Sequence, residues 1–252
     1  MKLYNFFRNI TSHRLRIALN LKGIEYDYVP VDLRTEAHLG AASKAINPQQ
    51  LVPVLDTGDL TLIQSPAIIE WLNERFPTPP LLPAAPDERS RVRAMAAIVG
   101  CDFHPINNRR ILEYLRKSFG YDEAAVIAWC ATWITAGFAA LESLLAYDLQ
   151  RKDFCFGDAP SLADVYLVPQ VESAHRPGGL LRVSPINRLI PRHTTLPLRI
   201  GLDDAGVGHE AFSAHQSFGH AALKDTLKKM AEGFAVAKPA MSILGEGRMI
   251  RH

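Results

Sequence analysis

The hydrophobic pattern at the start of the chain predicts a strand that runs directly into a helix. Leu3, Tyr4 and Phe6 suit a short buried strand. Apolar residues then recur at helical spacing as far as Leu21, and Gly23 follows, as glycine does beyond a helix C-terminus. We therefore expect a βα unit whose helix is amphipathic.

Strand and helix patterns continue to alternate up to about residue 78. The further predicted elements are a strand at Glu25–Val31, a weak helix at Glu36–Ala45, strands at Leu51–Leu55 and Leu60–Ile63 joined by a hairpin turn at Asp56–Asp59, and a helix with Ser65 as N-cap and Pro66 after it. The order β-α-β-α-β-β-α predicts a thioredoxin-like α/β domain over residues 1–78. The chain has no Cys-x-x-Cys pair, which excludes dithiol redox chemistry.

The remaining pattern predicts an all-α domain after a linker. Residues 79–87 form a proline-rich linker, and residues 88–176 carry helical periodicity. The expected helices are a long one over Glu88–Lys117 kinked by Pro105, a second over Glu123–Leu145, and a third that begins at the capping sequence Ser161–Asp164.

The last segment, residues 177–252, departs from this order. Proline, glycine and histidine are scattered through it, and only Ala221–Phe234 has a helical pattern. We expect an atypical tail, unrelated or altered in reading frame, and largely disordered. Its histidine spacing matches no metal site.

Composition narrows the class of protein. The chain is 48% hydrophobic and 21% charged with a formal net charge of +2, which is typical of a soluble globular protein and gives no reason to expect nucleic acid. It has no apolar run of about 18 residues and no apolar signal-peptide region, so we expect no membrane span. The three cysteines, Cys101, Cys130 and Cys155, form no disulfide framework, which favours the cytoplasm.

The first helix start is a candidate site for an anion or a thiol. Thr11 or Ser12 is the expected N-cap, with Arg8 before it and Arg14 and Arg16 after it. Unpaired N–H groups and the helix dipole there would hold an anion or lower the pKa of a thiol. The alternative is an ordinary βα unit with a solvated basic turn.

Val52-Pro53 is a candidate docking edge for a peptide. Proline cannot donate to a ladder, so the strand over Leu51–Leu55 needs an open edge there, and we expect a cis bond. An open edge accepts an extended peptide as an added strand. The alternative is a plain edge-strand proline.

Several segments together resemble the zeta class of the glutathione transferases over residues 1 to about 176. They are RNITSHRLRIALNLKG, NPQQLVPVL, IQSPAIIEWL, CDFHPINNRRILEYL and GDAPSLADVYLVPQ. The resemblance implies a glutathione-dependent cis–trans isomerase, with glutathione as cofactor and no metal, acting as a homodimer on a small dicarboxylate. It favours maleylpyruvate as substrate, with maleylacetoacetate as the alternative. A glutathione-binding protein that has lost catalysis is the third reading.

The resemblance also assigns roles to individual residues. It implies catalytic roles for Thr11, Ser12 and Arg8, and substrate-carboxylate binding by Arg8, Arg110 and Arg176. It implies glutathione contacts for His38, Gln49, Gln50, Val52, Gln64, Ser65, Asp102, His104, Asn108 and Arg109. His104 and Asn108 are four residues apart and are expected to share a helix face, although the basic pair Arg109 and Arg110 also suits a solvated face and His104 before Pro105 also suits a kink.

The chain departs from the family pattern at two places. Asn9 and Ile10 stand where the family has small or polar residues, and Ile10 is bulky beside the expected thiol position. The resemblance is expected to fade after Arg176, where the substrate pocket would lose its C-terminal wall.

Overall fold

The structure, a computed structural model, describes residues 1–147, 152 and 154–175. The predictions made for Arg176 and for residues 177–252, including the helix at Ala221–Phe234, lie outside the described residues. The boundaries of the two domains and the linker stay predictions, and the elements within them are as follows.

A four-stranded mixed sheet forms the centre of the N-terminal half. Its strands are β1 (Lys2–Asn5), β2 (Asp27–Pro30), β3 (Val54–Asp56) and β4 (Thr61–Ile63). They lie in the order β2-β1-β3-β4, with β1 parallel to β2 and antiparallel to β3, and β3 antiparallel to β4. The hairpin turn between β3 and β4 is present, since the Thr57 N–H donates to the Leu60 carbonyl at 2.9 Å.

Helices cover the sheet and then form the C-terminal half. They are α1 (Ile10–Leu21), α2 (Ala41–Ile46) after a 3₁₀ turn at Ala37–Leu39, α3 (Ser65–Arg75), α4 (Pro86–Ala97), α5 (His104–Ile106), α6 (Arg109–Phe119), α7 (Glu123–Tyr147) and α8 (Leu162–His175). The predicted order β-α-β-α-β-β-α is therefore confirmed.

The third strand is not at an edge of the sheet, and that expectation is wrong. β3 lies between β1 and β4, and it begins only at Val54. Val52 and Pro53 precede the strand, so the proline needs no open edge within the ladder. The Val52-Pro53 bond is cis, as expected.

Helix α1 is not amphipathic, in contrast to its sequence pattern. Eight consecutive residues, Ser12–Leu19, are buried, because α3 and α8 pack against α1 and its Arg16 side chain reaches β1 at Asn5. Its basic residues are buried with the rest. Arg16 donates to the Asn5 side chain at 2.7 Å and to the Phe7 carbonyl at 2.9 Å. The predicted solvated basic turn is thus wrong for Arg14 and Arg16 and right only for Arg8, which is exposed.

The long helix expected over Glu88–Lys117 is interrupted. A π-helical segment, Ile98–Phe103, follows α4, and the chain turns at Asn107 and Asn108 before α6 begins. The chain thus turns two residues after Pro105, the residue at which a kink is expected. Because His104 belongs to α5 and Asn108 is the N-cap of α6 after the turn, they do not share one helix face.

Helix α8 begins as its sequence indicates. The Asp164 carboxylate accepts from the Ser161 N–H at 2.8 Å, from the Ser161 hydroxyl at 2.7 Å and from the Cys155 N–H at 2.9 Å. This carboxylate satisfies the free donors of the first turn and fixes the preceding loop.

One helix among the described residues, α7, is long and apolar enough to cross a membrane by length and composition. A third of its most apolar window, 33%, is buried inside the protein. Its inner face packs in the helical core through Cys130, Ile134, Phe138 and Leu141. A core helix of a globular protein meets the same criterion, so the expectation of no membrane span stays a prediction.

Gly137 of α7 is required by the close approach of Phe103. A Cβ atom at Gly137 would lie 2.1 Å from Cδ1 of Phe103. We predict that Gly137→Ala lowers the free energy of unfolding by about 1–3 kcal/mol through overpacking. Helix propensity alone predicts the opposite sign, a gain of about 1 kcal/mol. Urea unfolding measures the difference.

The matched control is Ala140→Ser on the exposed side of the same helix, which should change stability by less than about 0.5 kcal/mol. A Gly137→Ala protein at least as stable as the wild type would contradict the packing argument. Phe103→Leu in the Gly137→Ala background should recover part of the loss.

Candidate active site

The N-terminus of α1 is capped by Asn9, not by Thr11 or Ser12 as the sequence pattern predicts. Asn9 has extended backbone angles, and its side-chain oxygen accepts from the Ser12 N–H at 2.8 Å. Asparagine is among the strongest N-cap residues because its side chain reaches the N–H three residues on. The helix therefore begins two or three residues earlier than expected, and Thr11 and Ser12 lie within its first turn.

The two hydroxyls that follow the cap have different surroundings. The Thr11 hydroxyl is half-buried, and its oxygen lies 3.0 Å from the carbonyl oxygen of Val52 and 2.5 Å from the side-chain oxygen of Asn9. Its single proton is shared between these two acceptors. Ser12 is 0% exposed, and its hydroxyl accepts from the Phe6 N–H at 3.4 Å. Of the two residues, Thr11 alone borders solvent, and it joins the α1 N-terminus to the segment before β3.

The N-terminus of α3 lies beyond Val52 on the same side of the domain. Gln64, not Ser65, is the N-cap, and it has a positive φ of 68°. Such an angle is strained for a residue other than glycine and is concentrated at functional sites. The Gln64 amide donates to the Gln49 side chain at 2.5 Å. The segment before β3 thus contacts both helix N-termini, through Val52 at Thr11 and through Gln49 at Gln64, and these residues form one row with Ser65.

Basic and amide groups gather at the other end of this row. Arg109 donates to the carbonyl of Leu33, and Gln50 donates to the carbonyl of Leu39 at 2.7 Å. Partial burial and the nearby charge of Arg109 lower the pKa of His38, and Glu36 opposes the change. His38 and Gln50 line a cleft together with Val52. The structure therefore brings the charge of Arg109, from the helical half, near His38 at this cleft.

His104 lies in a second cleft, between α1 and the helical half. The cleft is lined by Ile10, His104, Asn107, Ile134, Gln170, Ser173 and Ala174. His104 is 7% exposed, and its Nδ1 lies 3.2 Å from the side-chain oxygen of Gln170. Burial and the positive charge of Arg14 lower the pKa of His104 to about 3. Its ring is therefore neutral at physiological pH.

The other predicted residues lie at the surface of the helical half or outside the described residues. Asp102 is exposed on the π-helical segment. Asn108 caps α6 and accepts from the Arg110 N–H at 3.2 Å, and the Arg110 side chain is exposed. Arg176 lies outside the described residues.

Sequence reasoning missed two residues at this site. Asn9 was noted only as a departure from a family pattern, although an asparagine before an apolar helical run is an N-cap signal. Gln170 lies 66 positions from His104 along the chain, and no local pattern links them. Within the residues that the structure describes, no group of three or more His, Cys, Asp or Glu side chains is placed to hold a metal ion.

Known proteins share this architecture. The family model for the glutathione S-transferase N-terminal domain matches residues 11–75, and the model for the C-terminal domain matches residues 123–196. A maleylpyruvate isomerase of Ralstonia is 72% identical over 176 residues, which cover 70% of this chain and 83% of that protein. The chain belongs to the glutathione S-transferase family.

Solved structures place it in the zeta class of that family. The holo structure of a bacterial zeta-class maleylpyruvate isomerase is 68% identical, with a TM-score of 0.72 over 76% of this chain and 90% of the other. Maleylacetoacetate isomerase from Anaeromyxobacter dehalogenans, solved with dicarboxyethyl glutathione and citrate in its active site, is 36% identical, with a TM-score of 0.68 over 82% and 97%.

These findings confirm the family and the fold class expected from the sequence, namely a thioredoxin-like domain followed by helices. The C-terminal family match runs to residue 196, beyond Arg176, where the sequence resemblance is expected to fade.

The buried His104 gives this zeta-class protein a predicted pH dependence of stability. Its pKa in the folded state, about 3, is below the usual value of 6.5. The unfolded chain therefore takes up a proton as the pH falls below 6.5, and the folded protein does not. The free energy of unfolding should decrease by up to about 1.4 kcal/mol per pH unit from this residue between pH 6.5 and about 3.

The measurement is urea unfolding across that range for the wild type and His104→Gln. The free energy of unfolding should depend on pH more steeply in the wild type than in His104→Gln, by a slope that corresponds to the uptake of about one proton. The imidazole NMR signals of His104 should not titrate between about pH 8 and about pH 5. Titration of His104 near its usual pKa would contradict the burial argument.

Proposed function

We propose that this protein catalyses the glutathione-dependent cis–trans isomerisation of maleylpyruvate to fumarylpyruvate. Its sequence is 72% identical to a maleylpyruvate isomerase. The structural observation that carries the proposal is the Thr11–Val52 hydrogen bond of 3.0 Å. It holds the N-terminus of α1, where a thiolate would be stabilised, against the segment along which a peptide would lie.

The residues present fit glutathione, a tripeptide with a carboxylate at each end and a thiol between them. The N-terminus of α3 at Gln64 and Ser65 favours an anion at one end. His38, Gln50 and Arg109 supply donors and positive charge at the other end. Gln49 adds an amide beside Gln64.

The middle of the row suits the cysteinyl part of glutathione. Val52 offers its backbone to that residue, and Thr11 and Ser12 lie where the sulfur would be, although burial gives Ser12 the indirect role of supporting the turn. When bound, glutathione supplies a thiolate that adds reversibly to the conjugated double bond and is released after rotation. The α1 N-terminus stabilises the negative sulfur, and the Thr11 hydroxyl adds to this by turning its single proton from the protein acceptors to the sulfur.

Arginines anchor the dicarboxylate substrate in this proposal. Arg8 and Arg110 are exposed, and Arg176 is the third member of the set. A guanidinium suits a carboxylate better than an ammonium because it donates two parallel hydrogen bonds. Arg8 also neutralises charge that develops during addition, which is its catalytic role.

Asp102, His104, Asn108 and Arg109 are proposed to complete the glutathione site from the helical half. Because the ring nitrogens of His104 are buried, His104 acts by shaping the wall beside Ile10. We also propose that the protein works as a homodimer in the cytoplasm.

Maleylacetoacetate is the alternative substrate. The solved maleylacetoacetate isomerase that contains a glutathione adduct shares the fold at a TM-score of 0.68, and the two substrates offer the same double bond to a thiolate. A glutathione-binding protein without turnover is the third possibility. Ile10, which lines the cleft with His104, is the residue that would obstruct the site.

The first test is the loss of maleylpyruvate absorbance with and without glutathione, for the wild type and Arg110→Met. We expect turnover that requires glutathione, and an increase of KM for maleylpyruvate of about tenfold or more in the variant, because one charge-assisted anchor is lost. The control is Arg116→Met on the same helix, since Arg116 is paired with Glu123 at 2.8 Å and lies outside the proposed site.

The same assay with maleylacetoacetate decides between the two substrates. Glutathione binding without turnover of either compound would refute the isomerase proposal. Equal effects of Arg110→Met and Arg116→Met would refute the anchoring role of Arg110.

Thr11 provides a second test, of thiolate stabilisation. Thr11→Val removes the hydroxyl and keeps the shape, so the apparent pKa of bound glutathione should rise by about one unit. The rate at neutral pH should fall about tenfold and recover as the pH rises, because the thiolate fraction is restored. The pH dependence of kcat/KM measures this.

Thr11→Ser, which keeps the hydroxyl, is the matched control and should retain the wild-type profile. An unshifted profile for Thr11→Val would remove Thr11 from the proposed mechanism.

A further inference from the structure

Arg14 is a buried cation at the junction of the two halves of the protein. It lies on α1 and is 1% exposed. Its guanidinium carbon lies 3.9 Å from the ring centroid of Tyr166 on α8. Its Nη1 donates to the hydroxyl of Ser65, the first residue of α3, at 3.4 Å.

The charge of Arg14 is only partly compensated. Its Nε and Nη2 atoms are buried and have no hydrogen-bond partner, and no carboxylate lies within ion-pair distance of Arg14 in the described part of the chain. Removing a cation from water without a counter-charge is costly. Burial accordingly lowers the pKa of Arg14 to about 10. Arg14 is therefore a buried positive charge for which the described residues supply no anion.

The contact with Ser65 places the guanidinium of Arg14 at the N-terminus of α3. A serine hydroxyl has one proton to donate, and the Ser65 oxygen already accepts from Arg14. The hydroxyl proton is therefore available for a second acceptor. The helix dipole and the buried guanidinium both favour a negative charge at that acceptor.

We propose that Arg14 is a positioning residue for glutathione, which acts through Ser65 to hold the α-carboxylate of the γ-glutamyl residue. The bound carboxylate supplies the missing counter-charge. This inference rests on the proposed function, because it assumes that the γ-glutamyl end lies at α3. It predicts that Arg14 contributes to the affinity for that one carboxylate and not for the rest of the ligand.

The experiment compares glutathione with γ-aminobutyryl-cysteinylglycine, which lacks the α-carboxylate, by calorimetric titration. The wild type should prefer glutathione by about tenfold or more, as expected for a charge-assisted hydrogen bond. In Arg14→Gln the preference should fall to less than about threefold. If Arg14 had only a structural role, Arg14→Gln would lower the affinity for both ligands equally, and the ratio of the two affinities would not change.

Two further variants separate charge from packing. Arg14→Lys keeps the charge and should restore most of the preference; a folded lysine variant as poor as the glutamine variant would overturn the proposal. Arg16→Gln is the matched control, a second buried arginine of α1 that donates to Asn5 and Phe7. It should leave the ratio of the two affinities at the wild-type value.

Failure of the proposed glutathione site and failure of the role of Arg14 give different results. A wild type that does not bind glutathione, or binds both ligands equally, contradicts the proposed glutathione site and with it this inference. A wild type that prefers glutathione, with an undiminished preference in Arg14→Gln, contradicts the role of Arg14 alone. If Arg14→Gln does not fold, Ser65→Ala tests the same link, and a retained preference there overturns the proposal.

Discussion

The burial of α1 on every side is the constraint on which the rest of the structure depends. A helix of this kind is usually apolar all round, yet its buried stretch, Ser12–Leu19, contains a histidine and two arginines. Each basic residue contacts a different part of the protein: His13 approaches Glu172 at 3.5 Å, Arg14 contacts Ser65 and Tyr166, and Arg16 binds beside β1. The polar contacts of one helix thereby connect the sheet, α3 and the helical half.

The candidate site lies where this burial stops. Asn9 ends α1 at the surface, and Thr11 is the first hydroxyl of the helix that borders solvent. From there the Thr11–Val52 hydrogen bond leads to the strained turn at Gln64 and to the N-terminus of α3. Two helix N-termini thus lie along one row, each with a favourable field for negative charge. In the proposed function, thiolate stabilisation and carboxylate binding both use this field, so that a single α/β domain serves both.

In the proposed function, the helical half supplies the residues that distinguish the two substrates. The interruption between the π-helical segment and α6 separates a buried, neutral His104 from the exposed Arg109 and Arg110. Chemistry at the double bond is common to the two candidate dicarboxylates, so discrimination between them depends on the wall opposite the thiol. Gln170 of that wall lies against His104, and Ile10, at the start of α1, lines the same cleft.

The sequence by itself determined the order of elements, the family and the capping residues that act locally, such as Asp164 at the start of α8. These features follow from periodicity and from side chains that reach their own backbone. The inner position of β3, the burial of Arg14 and Arg16, and the pairing of His104 with Gln170 were decided only by the tertiary structure. The local sequence around an arginine does not show whether it lies in a solvated turn or in a core. The environment of Arg14 is set by Tyr166 of α8, which lies about 150 residues further along the chain. Partners that are distant along the chain decide whether a charged side chain is hydrated or buried, and no local pattern reveals them.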